Sequence, residues 1–332
     1  MNEVETDILV VGAGLAGLMA AQTLQHQGRR VVVVDKGHSV GGRLATRRIG
    51  PGRADYGAQF FTIRSPEFQT LAEPWLVEGL VYRWSNGWSD GSLTPVNFDG
   101  HPRYAVNRGM NMLAKHLAQG LTAQVNVRLA AVSATAQGWQ CVAENGTSYT
   151  SKALLLTPPV PQSLTLLEAG HTRLAPADRA ALEEITYAPC LAGMFRLDGP
   201  IHLPEPGAIQ HSYSPISWIA DNHRKGISPE ATIITVHANQ DHSRQLWEAE
   251  DVEVLAALEI GFRPYLGPTT TVLEAQLKRW RYALPTSVYP EHYLAAANLP
   301  PLVLAGDGFN GPRVEGAVLS GVTAGRVLAE QR

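Results

Sequence analysis

Cysteine is nearly absent from this chain: Cys141 and Cys190 are its only two. Two thiols cannot build a disulfide framework or a four-cysteine zinc cluster, and their scarcity favours a reducing compartment. A surplus of one charge is missing too. The net charge is −3 and no run of Lys and Arg exceeds three residues, so no footprint for nucleic acid or an anionic membrane appears. No apolar stretch approaches the roughly 20 residues of a spanning helix. Glu3, Glu5 and Asp7 stand where a signal peptide would be basic, so none is expected. No metal site, repeat or low-complexity segment is read, and the expected location is the cytoplasm. What remains is an ordinary globular composition, 45% hydrophobic and 17% charged over 332 residues, enough for about two domains.

The most informative stretch is "TDILVVGAGLAGLMAAQTLQHQGRRVVVVDKG", Thr6 to Gly37. Ile8–Val11 is a short apolar, β-branched run that predicts a buried strand. Leu15, Leu18, Met19, Gln22 and Thr23 follow at helical spacing, and Gly28 ends that helix. Val31–Val34 predicts a second strand, closed by Asp35 eighteen residues after Gly17. The three glycines then have separate tasks around Ala13. Gly12 permits the tight turn, Gly14 lets a pyrophosphate approach the backbone, and Gly17 lets helix and strand pack closely. The helix N-terminus favours the phosphates, and the Asp35 carboxylate is placed to accept ribose hydroxyls.

Two further segments indicate which dinucleotide. After Asp35 and Lys36, Gly41-Gly42-Arg43 offers a second close-approach loop with a cation for a pyrophosphate. Gly57-Ala58-Gln59-Phe60-Phe61 reads as a loop beside a ring system. Near the other end, the apolar strand Leu302–Ala305 runs into Gly306-Asp307. A helix then begins near Val314, Glu315, Gly316 and Ala317 and continues to Ala329. That arrangement suits a flavin dinucleotide: Asp307 on the ribityl hydroxyls, and the helix N-terminus near the negative edge of the reduced ring. The bland alternative is a packing helix with Asp307 as its cap. Asn145-Gly146 predicts a hairpin turn, Val125–Val132 a strand, and Leu154–Leu156 a buried strand stopped after Thr157 by Pro158 and Pro159.

The segments "GAGLAGLMAA", "VVDKG", "GGRLATRR", "DYGAQFFT", "LLLTPPVPQ", "KRWRYALP" and "RVEGAVLSG" together resemble the renalase group of flavoproteins, within the amine-oxidase and hydroxylase-like superfamily. The resemblance implies an α/β fold of the p-hydroxybenzoate-hydroxylase and amine-oxidase type. In it, a Rossmann-like FAD-binding domain carries an inserted α+β substrate domain. The expected FAD domain is 1–62, 105–160 and 286–332; the expected substrate domain is 63–104 and 161–285. Val127 and Thr157 join the cofactor residues on the same grounds. With no cysteine near Gly306-Asp307, the FAD is expected to be noncovalent.

The resemblance further implies oxidation of misreduced dihydro-NAD(P) isomers, with O2 as acceptor and hydrogen peroxide as product. An amine oxidase, another desaturating flavoenzyme or a non-catalytic binding protein of the same fold are the alternatives. Gln59 and Phe61 are expected near the flavin ring. Trp280 and Tyr282 lie on one face of an alternating strand and offer an aromatic wall; His237 and Asn222 offer hydrogen bonds to a carboxamide. Lys278 invites the role of the flavin-adjacent lysine of amine oxidases. Each of these residues also has a purely structural reading. An amphipathic helix is expected over 248–262.

Overall fold

The structure is a computed structural model and describes residues 3–91, 100–211 and 215–331. The strands of the first third are β1 (Glu3–Val11), β2 (Val31–Val34), β3 (Thr46–Ile49), β4 (Gly52–Asp55), β5 (Val81–Ser85) and β6 (Arg103–Val106). Next come β7 (Thr122–Gln124), β8 (Leu129–Thr135), β9 (Gly138–Ala143), β10 (Ser148–Leu156) and β11 (Tyr187–Leu197). The last are β12 (Ala208–Gln210), β13 (Ile216–Asp221), β14 (Ile233–Ala238), β15 (Val272–Pro285), β16 (Tyr293–Ala295) and β17 (Leu302–Ala305). The helices are α1 (Leu15–His26), α2 (Pro66–Val77), α3 (Asn111–Leu117), α4 (Val160–Ala169) and α5 (Pro176–Glu183). They continue with α6 (Gln240–Gln245), α7 (Asp251–Ile260) and α8 (Val314–Glu330). No helix among the described residues is long and apolar enough to cross a membrane.

The chain divides into two compact units. The first comprises Met1–Gly42, Leu113–Tyr187 and Pro285–Arg332. Among the described residues its sheet runs β16-β17-β10-β1-β2-β7, with β9 beside β10 and β8 beside β9. The pairs β10–β1, β1–β2, β2–β7 and β10–β17 are parallel, and β16 closes one edge antiparallel. Parallel central strands are covered on both faces, which is why Leu9, Val34, Leu154, Leu156 and Leu304 form unbroken apolar runs. The Asn-Gly hairpin forms as read: Gly146 has φ +81° and Asn145 Oδ1 accepts the Thr147 N–H. Helices α1 and α8 approach backbone to backbone. A Cβ on Gly321 would lie 2.2 Å from the Ala16 carbonyl oxygen, so the small residues of α8 serve packing as well.

The second unit comprises Arg43–Met112 and Ala188–Leu284. Its sheet runs β12-β13-β14-β11-β15, beside the two-stranded pairs β3–β4 and β5–β6. Helix α7 lays Val254 and Leu258 on the sheet's Phe195, Ile234 and Val236.

Several boundaries differ from the sequence reading, each for a tertiary reason. The first unit ends at Gly42, not 62, because the turns after it bond among themselves, Tyr56 N–H to Ala45 and Ala58 N–H to Arg43. Residues 161–187 belong to the first unit, since Leu167, Leu182 and Ile185 join its core. Strand β8 starts at Leu129 because Asn126 turns left-handed at φ +58°. The helix expected over 248–262 begins only at Asp251, since Arg279 holds the Trp247 and Ala249 carbonyls outside it. Helix α2 is not evident from the sequence, although Ser65 caps it by accepting the Phe68 N–H. Residues 92–99 of the expected 63–104 segment lie outside the described residues.

Gly321→Val should destabilise the protein by about 1–3 kcal/mol through overpacking. Denaturant titration of both proteins checks this, and an unchanged midpoint would remove the close α1–α8 contact.

Candidate active site

In the first unit the glycine turn is built as its spacing demands. Gly12 has φ +102°, and a Cβ there would fall 2.4 Å from Thr157 Oγ1. A Cβ on Gly17 would fall 1.9 Å from the Gly12 carbonyl oxygen, so helix and turn touch directly. Gly14 is different: nothing lies within 4 Å of the place its Cβ would take. It precedes α1 in extended conformation with no side-chain cap, leaving the first turn's N–H groups for an outside acceptor. Gly42, at φ +53°, stands close by, its Cβ position 3.6 Å from the Gly14 Cα.

Asp35 closes this turn from below. Its Oδ2 accepts the Ala13 N–H at 2.7 Å and its Oδ1 the Gly37 N–H at 2.6 Å. The Ala13 N–H is therefore taken up by protein, and Ala13 anchors the turn instead of meeting a phosphate. Val127 donates its N–H to the Asp35 carbonyl at 2.8 Å. Lys36 is exposed and bonds Gln162 Oε1 at 2.6 Å. Thr157 ties β10 to the turn, its hydroxyl on the Val11 and Gly12 carbonyls. At the far end Gly306, φ +138°, donates its N–H to Ser320 Oγ at 2.8 Å, ahead of the half-buried Asp307. Helix α8 begins without a side-chain cap at Val314 and Glu315. Gly316 is required there, since its Cβ would meet the Gly311 carbonyl oxygen at 2.2 Å. Ala317 continues that first turn with its N–H on Arg313.

In the second unit an aromatic wall forms on β15. Trp280 stacks on Tyr56, centroids 5.5 Å apart and planes at 22°, and donates Nε1–H to the Tyr56 carbonyl at 2.9 Å. Both rings carry a cation: Arg47 lies 5.2 Å from the Tyr56 centroid and Lys278 Nζ 5.0 Å from that of Trp280. Tyr282 shares the strand, and its carbonyl and that of Ala283 accept from Arg43, each at 3.4 Å. His237 also bonds the Tyr56 backbone. Its Nε2 is buried without a partner among the described residues. Burial pushes the His237 pKa from its ordinary 6.5 to about 4; the Tyr56 bond opposes this shift, and the Lys225 charge adds to it. The imidazole is thus neutral at neutral pH.

Three readings of the site residues change. Asn222 is fully buried, with Oδ1 accepting the Asp55 N–H and Nδ2 donating to Ile233 O and Thr235 Oγ1, so it clamps the fold and offers nothing to a carboxamide. Phe61 is 3% exposed and packs against Phe68 and Tyr104; it is a core ring, not a flavin neighbour. Phe60 turns the other way, into a cluster with Trp88 and Trp218 that Trp84 completes. Gln59 lies buried on the Gly57–Ala58 loop, where a Cβ on Gly57 would sit 2.0 Å from the Arg43 carbonyl oxygen. Sequence reasoning missed Tyr56, Arg47, Asp55 and Lys225. Tyr56 and Arg47 carried a readable signal, an aromatic and a cation beside a glycine loop. Asp55 and Lys225 did not.

Comparison with known proteins decides the family. Residues 83–329, well over half of the chain, match the model of flavin containing amine oxidoreductases, and residues 10–74 match an NAD(P)-binding Rossmann-like domain. The chain belongs to the flavin containing amine oxidoreductase family. Among curated relatives, a putrescine oxidase of Kocuria rosea is 39% identical over 70 residues, 21% of this chain and 15% of that protein. An L-amino-acid oxidase of Siganus canaliculatus is 49% identical over 105 residues, 31% of this chain and 17% of that one. The matches thus span less than a fifth of either relative's length. Among solved structures, a candidate protoporphyrinogen oxidase of Exiguobacterium sp. 255-15 superposes with a TM-score of 0.75 at 14% identity, covering 98% of this chain and 99% of that one. Putrescine oxidase bound to putrescine gives 0.68 at 15% identity, covering 99% and 100%. At such identities these structures show the fold.

FAD is the cofactor of this family member, and the first unit fits it: an open cradle at Gly14, uncapped starts of α1 and α8, and carboxylates at Asp35 and Asp307. Because Gly14 borders open space, Gly14→Trp should leave the apoprotein folded and abolish flavin retention. Absorbance after purification checks this, with circular dichroism as the folding control. His237 supplies a second prediction. The unfolded state binds its proton near pH 6.5 and the folded state only near pH 4. Stability is therefore complete above pH 6.5 and falls as pH drops to 4, by at most about 3 kcal/mol. His237→Gln should flatten that part of the denaturation profile.

Proposed function

We propose that this flavoenzyme oxidises dihydro-NAD(P) isomers whose hydride sits at ring position 2 or 6. The observation that carries the reading is the Tyr56–Trp280 pair flanked by Arg47 and Lys278. A protonated amine is repelled by two cations on its aromatic wall. A dihydronicotinamide is different: its ring is neutral and planar, and its phosphates are anionic, so wall and cations both attract it. The neutral His237 Nε2 is an acceptor for a carboxamide N–H.

Bound FAD supplies the hydride acceptor and, with O2 and a solvent proton, the route to hydrogen peroxide. The chain's own part is positioning. Loss of H⁻ aromatises the ring to the pyridinium of NAD(P)⁺, so no side chain has to remove a proton. Arg47 and Lys278 then disfavour the cationic product ring, which assists its release. The first unit holds the FAD noncovalently through Gly12, Gly14, Gly17, Asp35, Gly42, Gly306 and Asp307. The remaining relationship to putrescine and amino-acid oxidases makes an amine the competing substrate.

Anaerobic mixing of the holoenzyme with an unselectively reduced mixture of dihydro-NAD isomers should bleach the flavin absorbance, whereas 4-dihydro-NADH and a panel of amines should not. Bleaching by an amine alone would transfer the protein to amine oxidation.

A further inference from the structure

Within the first unit, the peptide that joins Gly12 to Ala13 is held at both of its polar ends by side chains. Its N–H, on Ala13, donates to Asp35 Oδ2 at 2.7 Å, and its carbonyl, on Gly12, accepts the Thr157 hydroxyl at 3.2 Å. Asp35 lies 22 residues along the chain and Thr157 145 residues from the glycine. Register brings the threonine there. Leu156 of β10 pairs with Val11 of β1, so Thr157 stands level with Gly12 where the glycine turn leaves the sheet.

The hydroxyl is not needed to join the two strand ends. The Thr157 N–H already donates to the Val11 carbonyl at 2.9 Å and continues the ladder. The hydroxyl lies 2.8 Å from that same carbonyl and also reaches Gly12, which gives it a second task. Gly12 is left-handed at φ +102° and, having no Cβ, does little to restrain the peptide that follows it. Rotation of that peptide would break the Thr157 and Asp35 bonds together. Gly14 and the uncapped first turn of α1 come immediately after it, so its orientation sets where their N–H groups face. Helix α1 also rests on the held group. A Cβ on Gly17 would fall 1.9 Å from the Gly12 carbonyl oxygen and 3.1 Å from Thr157 Oγ1.

We propose that Thr157 is a positioning residue: with Asp35 it clamps the Gly12–Ala13 peptide and so aims the start of α1 at the diphosphate of the bound FAD. Every residue of the clamp belongs to the first unit. The inference rests on the reading that the diphosphate sits at Gly14.

Thr157→Val removes the hydroxyl and keeps the β-branched shape, whereas Thr157→Ser keeps the hydroxyl. Apoprotein of each is titrated with FAD and, separately, with ADP, the adenosine diphosphate half of the cofactor, and its thermal midpoint is recorded. A Kd raised about tenfold for both ligands in Thr157→Val, with wild-type values in Thr157→Ser, supports the clamp. Wild-type Kd values in Thr157→Val overturn it even if that apoprotein melts lower, since the hydroxyl would then serve stability alone. A weaker FAD complex with unchanged ADP binding overturns it too, because the effect would lie away from the diphosphate. Should Thr157→Val not fold, Thr157→Ala takes its place with the same outcomes. Gly14→Trp, titrated alongside, separates the two ways of failing. Loss of FAD there with Thr157→Val unaffected overturns the clamp alone, and retention of FAD by both overturns the placement of the diphosphate with it.

Discussion

A carboxylate with no exposed surface has to be met on every side, and Asp55 sets how the second unit assembles around it. Its partners come from separate stretches of chain: Thr46, Met110 and Lys225 on the carboxylate and, through its backbone, Asn222, Gln59 and Thr235. Desolvating two charges costs several kcal/mol per ion, and attraction repays it only where the remaining lone pairs and protons are matched. The matching here is nearly complete, and its by-product is a defined backbone path from Asp55 through Gln59. Burial lowers the Lys225 pKa while the Asp55 charge opposes that fall. The same ammonium helps keep His237 neutral. The pair thus shapes the loop and adds to the burial that keeps a neighbouring base neutral.

The two units present opposite kinds of chemistry. The first offers backbone: N–H groups at the starts of α1 and α8, and glycines where a side chain would collide or intrude. Such a surface suits a diphosphate charge. The second offers side chains, with stacked rings that each carry a cation.

That division also explains what the sequence made legible. The glycine turn, the acid that closes β2 and the α8 segment were readable because each is local: turn, strand and helix lie within a few tens of residues. Trp280 and Tyr282 were readable as a face because strand alternation is local too. Asn222 was misread because its partners Asp55 and Thr235 lie 167 and 13 residues away, and an asparagine in "ADNHRKG" looks like a turn residue whatever it binds. Lys225 was overlooked for the same reason, since nothing in a surface-like "RKG" announces burial. The domain boundaries slipped where hydrogen bonds within a turn, such as Ala58 to Arg43, decide which unit a segment joins.

The order of the first sheet has a consequence for biosynthesis. Its central strand β10 is flanked by β1 on one side and by β17 on the other, so nearly 300 residues separate its two neighbours in the chain. A nascent chain that has emerged through residue 290 has already made β1, β2, β7, β9 and β10, yet the edge of β10 at Leu154, Leu155 and Leu156 is still open. Open edges pair with whatever strand is nearest. The unit that comes first in the sequence is therefore completed last, and the second unit has every one of its strands available before it.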